Sequence, residues 1–121
     1  MYIMANEPIS DMSAAEVESY YANKHTELDL AEAYAITHNQ FWWVEDNEYD
    51  YEEGTPEHKA ACAITDEWGA LMDGYKKRIF EILIREGITI PEIGQIQVLV
   101  PFMARNGYSD ANGWWVKEYE E

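Results

Sequence analysis

Three histidines and one cysteine are the residues of this chain best suited to metal or nucleophilic chemistry: His25, His38, His58 and Cys62. A zincin needs two histidines four residues apart with a glutamate between them, and no pair here has that spacing. Di-iron bundles use Glu-x-x-His, but the residues three before each histidine are Ala22, Ala35 and Thr55. His58, Cys62 and Asp66 do recur at i, i+4 and i+8, on one helix face. Histidine and cysteine are good zinc ligands, yet three ligands in line on one helix do not surround an ion without help from elsewhere. As a nucleophile, Cys62 has His58 one turn away, but the surrounding charge is negative and nothing nearby would lower its pKa. Asp46, Glu48, Asp50 and Glu57 fall at positions 1, 3, 5 and 12 of an EF-hand loop. Tyr51 stands where that loop needs glycine, and Thr55-Pro56 already begins a helix. The chain has no glycine-rich phosphate loop, no GxSxG and no dinucleotide fingerprint. The expectation is a protein that is not an enzyme, with no catalytic residue, cofactor or metal.

The elements that would carry these residues are mostly helical. Ser13-Ala14-Ala15-Glu16 has the form of a capping box. Behind it Val17, Tyr21, Lys24, Leu28, Ala31, Ala35, His38 and Trp42 are spaced by threes and fours, the mark of an amphipathic helix. The phase holds throughout, which favours one helix over about 13–44; a break near Thr26 is the alternative. Thr55-Pro56-Glu57 is a second helix start, with Thr55 as N-cap and Pro56 at the first helical position. The stripe Ala61, Ile64, Trp68, Leu71, Tyr75, Ile79 and Leu83 follows, flanked by Met72, Phe80 and Ile82, and Gly87 is its stop. Asp73–Lys77 and Glu81–Arg85 are i,i+4 pairs in the favourable order. A straight helix over 56–86 would be about 46 Å long, against a diameter of roughly 35 Å for a compact domain of this size. Either a long helix bends or breaks, near Thr26 or at Gly69–Gly74, or the molecule is an elongated helical hairpin.

The last third is less regular. Residues 91–100 read as a short helix stopped or kinked by Pro101. Tyr108 to Gly113 is rich in turn residues, and Trp114 to Tyr119 reads as a strand or a final helix. A hairpin pairing residues 97–104 with 114–119 is the alternative. The fold class is therefore mainly α, one domain over 1–121. Two long antiparallel helices, about 13–44 and 56–86, carry a smaller C-terminal helical or α+β element.

Composition narrows the function classes. Twenty-four acidic residues against eight basic ones give the 121-residue chain a net charge of −16. Such a surface repels nucleic acid and anionic membranes, so direct binding to either is not expected. With a single cysteine no internal disulfide forms, which fits a reducing compartment. The N-terminus lacks the basic start and apolar run of a signal peptide, and no apolar stretch is long enough to span a membrane. A cytoplasmic location is expected. The charge is unevenly divided: residues 1–53 net −12 and residues 54–121 net −4.

Residues 45–53 hold six carboxylates and no base. With no helical pattern surviving there, the segment reads as an exposed connection, and Tyr49 and Tyr51, alternating with the acids, are expected to be exposed too. Of the adjacent pair Trp42-Trp43, one ring is expected to cap the core and the other to stay near the surface, since neighbours on a helix point about 100° apart. Carboxylates at i and i+4 on a helix lie about 6 Å apart along the axis, close to the spacing of successive phosphates. Glu16, Glu18, Glu27, Asp29 and Glu32, continuing into Glu45–Glu53, would supply such an array. In charge, size and mixing of aromatic with acidic residues, the chain resembles the acidic nucleic-acid-mimic inhibitors, including anti-restriction and anti-CRISPR proteins. Those are small, single-domain proteins of phages and mobile elements. The resemblance implies an inhibitor of a basic nucleic-acid-binding protein, such as a CRISPR effector or restriction enzyme. The expected contact residues are Glu27, Asp29, Glu32, Trp43, Glu45, Asp46, Glu48, Tyr49, Asp50, Tyr51, Glu52 and Glu53. The alternative is a helical adaptor or accessory subunit that docks a protein partner through exposed aromatics, its acidity serving only solubility.

Overall fold

Ser13 opens the first helix, α1 (Ala14–Tyr21), through a reciprocal capping box: the Glu16 amide donates to the Ser13 hydroxyl and the Ser13 amide to the Glu16 carboxylate. The computed structural model describes residues 2–4, 12–111 and 113–118. α1 ends at Tyr21, and a second box starts α2 (Glu27–Glu48): the Asp29 amide donates to the Thr26 hydroxyl at 3.0 Å, and the Thr26 amide donates to the Asp29 carboxylate at 3.3 Å. The continuous helix over 13–44 is thus replaced by two helices broken at 22–26. The stripe that argued for continuity is not the buried face throughout, because Leu28 and Trp42 are exposed. The buried residues of α2 are Leu30, Ala31, Ala33, Tyr34, Ala35, Ile36, Thr37 and Asn39. They encircle the helix, because α2 packs on α3, on α1 and on a sheet at once.

Helix α3 (Pro56–Arg85) begins as its sequence predicts. The His58 amide donates to the Thr55 hydroxyl, and Pro56 occupies the first turn, where its missing N–H has no partner to lose. It ends in a Schellman motif. The Ile88 amide donates to the Leu83 carbonyl and the Gly87 amide to the Ile84 carbonyl, with Gly87 at a φ of 86°. Trp68, Tyr75, Ile79 and Leu83 are buried as expected; Ile64 is exposed and Thr65 buried in its place. α3 is one uninterrupted helix of 30 residues, so Gly69–Gly74 is not a break. Gly69 serves close packing instead: a Cβ there would meet Phe41 Cε2 of α2 at 3.0 Å. That contact, with Glu48 against Thr65 and Glu27 near Glu86 through Arg105, fixes α2 and α3 as antiparallel. Asp73 pairs with Lys76 at 3.6 Å rather than with Lys77.

Helix α4 spans Ile96–Arg105 and runs through Pro101, where a stop or a kink was expected. Proline removes one helical hydrogen bond, leaving the Gln97 carbonyl without its amide. Gln97 and Pro101 are both exposed, so water can take up that carbonyl, while burial of Leu99, Phe102 and Met103 holds the helix in place. β2 (Tyr108–Ala111) and β3 (Trp114–Glu118) form an antiparallel hairpin in which Ala111 pairs with Trp114. The partner of β3 is therefore 108–111, not 97–104. Gly113, just before β3, has a φ of 88°, a backbone conformation that glycine adopts readily. β1 (Tyr2–Met4) pairs with the other edge of β3, giving the order β1-β3-β2. The N-terminal residues thus contribute a strand, which no sequence pattern marked.

The sheet is fastened to α2 by one buried amide. Asn39 Nδ2 donates to the Trp115 carbonyl at 2.7 Å, and the Trp115 amide donates to Asn39 Oδ1 at 3.0 Å. A side chain thereby offers the strand the donor and acceptor that another strand would supply. Around it Trp115 packs against Tyr34 and His38. Burial holds the His38 imidazole below its ordinary pKa, with a contact to Asn39 opposing the shift.

Candidate functional site

The last two turns of α2 and the connection to α3 form the acidic end of the molecule. α2 runs to Glu48, so Glu45, Asp46 and Glu48 are helical rather than part of an exposed connection. The extension is tied to α3: the Thr65 hydroxyl donates to the Glu48 carboxylate at 2.8 Å. Glu45 is half-buried, and its Oε2 is shielded from solvent without a hydrogen-bond partner among the described residues. With Asp46 and Glu48 in a helix, no EF-hand loop exists here.

Asp46, Asp50, Glu52 and Glu53 are exposed. Among the described residues none of them makes an ion pair within 4.0 Å. Around them stand four exposed rings: Tyr49 at 77%, Trp43 at 55%, Tyr51 at 46% and Trp42 at 45% relative accessibility. Both tryptophans of the adjacent pair thus reach solvent. Trp42, expected on the core stripe, joins the exposed set; nothing in its local spacing marked it. Trp42 and Asp46 are one helical turn apart, as are Trp43 and Asp46, so ring and carboxylate share a face.

Helix electrostatics do not account for the acids in this place. The C-terminal end of a helix carries a partial negative charge, and an acid there is unfavourable by about 0.3–1 kcal/mol at an exposed position. The last turn of α2 holds no base. Glu57, in the first turn of α3, is placed favourably by the same rule.

The other three expected contact residues lie at the opposite end of α2, and each has a partner within the fold. Arg105 donates through Nε and Nη2 to the Glu27 carboxylate and through Nη1 and Nη2 to Glu86, while Asn106 donates to Glu27 at 2.8 Å. The hydrogen bond from Arg105 is the main cause that holds the Glu27 carboxyl below its ordinary range; partial burial opposes it and Asn106 adds to it. Asp29 is occupied by the capping box. Glu32 accepts from the Tyr21 hydroxyl, whose own ionisation is pushed well up, first by burial and then by this carboxylate. Residues 33–44 hold no acid, so the two acidic groups are separated by about 20 Å of helix. Sequence alone gave no sign of Arg105 as the hub of this network.

His58 and Cys62 do meet on α3, with Cys62 Sγ 3.7 Å from His58 Nε2. Burial pushes the thiol pKa up, and the charges of Glu48 and Asp66 push it further, which disfavours the thiolate that nucleophilic attack requires. Among the described residues no three histidine, cysteine or acidic side chains are arranged to hold a metal ion. No helix among them is long and apolar enough to cross a membrane. No protein-family model, no curated protein and no solved structure matches the chain.

Proposed function

We propose that this protein is a non-enzymatic inhibitor that binds a basic nucleic-acid-binding protein, of the kind found among restriction enzymes and CRISPR effectors, by presenting a DNA-like acidic surface. One observation carries the reading: Asp46, Asp50, Glu52 and Glu53 are solvent-exposed and, among the described residues, without ion pairs, in a segment with four exposed aromatic rings. A cationic channel shaped for phosphates would grip those carboxylates and relieve the unfavourable charge at the end of α2. Tyrosine and tryptophan would add contact area around them. The contact surface under this proposal is the α2–α3 end, with Glu45 and Glu48 behind it. Glu27, Asp29 and Glu32 serve the fold. A cytoplasmic setting, where such a target works, belongs to the same reading.

The exposure of Tyr49 and Trp43 also favours a second reading, an adaptor whose rings dock an apolar site on a partner. The two separate by salt and by competition. DNA cleavage by a panel of restriction and RNA-guided nucleases is measured with the protein present, at about 50 and about 200 mM salt. Mimicry predicts inhibition of at least one nuclease that excess duplex and added salt both relieve. Absence of inhibition across the panel, or inhibition indifferent to salt and DNA, would count against it; the latter would favour the adaptor.

A further inference from the structure

Helix α3 has a second face that the described residues leave exposed. Ala60, Ala63, Glu67, Ala70, Gly74, Lys77, Glu81 and Ile84 recur at alternating steps of three and four, and all eight are exposed. This is the spacing of a helix–helix seam, on the side of α3 away from the core. Ile84, at 58% relative accessibility, is among the most exposed aliphatic side chains of the fold.

The charges along α3 reverse sign at its middle. Residues 56–70 hold three acids and one base, and residues 71–85 hold two acids and four bases. Among the described residues Lys77, Arg78, Asp66 and Glu67 make no ion pair within 4.0 Å. A helix negative in its first half and positive in its second is complementary to itself when turned end for end.

We propose that this face pairs with the same face of a second copy of the chain, antiparallel, about a two-fold axis passing near Met72. In that register Ala70 opposes Gly74, Ala60 opposes Ile84, and Glu67 opposes Lys77, each twice by symmetry. Asp66 then flanks Arg78. The one like-charged pairing is Lys59 with Arg85, at the outer ends. The small residues at the centre let the helices approach closely. A Cβ on Gly74 meets nothing within 4 Å among the described residues. Ala70 and Gly74 also lie between two grooves of about 550 and about 540 Å³, one shared with Tyr21 of α1 and the other with Gln95. These receive the side chains that flank the seam of the other copy. Repulsion between two chains of −16 is screened beyond about 8 Å at physiological ionic strength, whereas the paired charges lie inside that distance. The contact is isologous and closes as a dimer. It leaves both acidic ends free, about 45 Å apart at opposite extremes of the paired helices.

Sedimentation equilibrium at physiological ionic strength tests the pairing. The wild-type chain is expected to dimerise reversibly. Gly74→Gln, which favours the helix but fills the close approach, is expected to abolish the dimer without lowering Tm. Glu67→Lys and Lys77→Glu are each expected to weaken it by about tenfold, and the two together to restore it. Neutralising Asp46, Asp50, Glu52 and Glu53 should leave it unchanged, which separates this contact from the acidic end. A chain that stays monomeric at all concentrations, a dimer that Gly74→Gln leaves intact, or a charge exchange that fails to restore association overturns the proposal.

Discussion

At the amino end of α2 three carboxylates are held by partners within the fold, and at its carboxyl end four have no side-chain partner among the described residues. Glu27 meets Arg105 and Asn106, Asp29 closes a capping box, and Glu32 accepts from Tyr21. Acids there are also favoured by the positive end of the helix dipole. Asp46, Asp50, Glu52 and Glu53 are exposed at the other end, where the dipole of α2 opposes them. The same residue type therefore has a structural role in one region and no structural explanation in the other. Net charge alone does not distinguish the two; partner geometry does.

The largest stability effect should come from the seam between these regions. Asn39→Leu strands the buried amide and carbonyl of Trp115 and is expected to lose about 2–4 kcal/mol in urea unfolding while leaving both acidic groups as they are. Arg105→Ala is next. It removes the cation between Glu27 and Glu86 and the guanidinium stacked 4.9 Å from the Phe102 ring, for an expected loss of about 1–2 kcal/mol. The four-fold substitution Asp46→Asn, Asp50→Asn, Glu52→Gln and Glu53→Gln should act in the opposite direction, raising stability by up to about 1 kcal/mol as repulsion falls. A loss instead would mean these acids have partners that support the fold, and the contrast would collapse.

The smallest effect is a pH dependence. Arg105 holds the folded-state pKa of Glu27 below the ordinary value of 4.5. The unfolded chain therefore takes up the proton first. The contribution of Glu27 is complete above that ordinary value and disappears as pH falls through the lowered one. The stability difference between wild type and Glu27→Gln, followed by urea unfolding from about pH 6 to about pH 2.5, should shrink accordingly. A difference that is constant over that range would mean the ion pair contributes nothing.

Where local signals and tertiary packing agree, the chain is readable in advance. Thr55, Pro56, the apolar stripe and Gly87 define α3 because that helix has one buried face and both of its ends are capped locally. α2 is not readable in this way. It is buried on several sides at once, so no single stripe describes it, and the three-and-four spacing from Leu28 to Trp42 joins exposed residues to buried ones. Asn112-Gly113 carries a hairpin signal, but Tyr108-Ser109-Asp110-Ala111 becomes a strand only through pairing with β3, whose other edge is taken by the distant β1. At the candidate site, the exposure of Tyr49 and Tyr51 follows from their alternation with acids. The helical placement of Glu45 and Glu48 depends on Thr65, and the neutralisation of Glu27 depends on Arg105, 78 residues away. Contacts of that separation leave no periodic trace.

The central claim concerns which carboxylates face a partner, and the salt dependence of binding reads this most directly. For any nuclease that the protein inhibits, log affinity is plotted against log salt for wild type, Glu27→Gln and the four-fold variant. The account predicts that Glu27→Gln follows the wild-type line while the four-fold variant binds more weakly at low salt with a shallower slope. A four-fold variant lying on the wild-type line would contradict it.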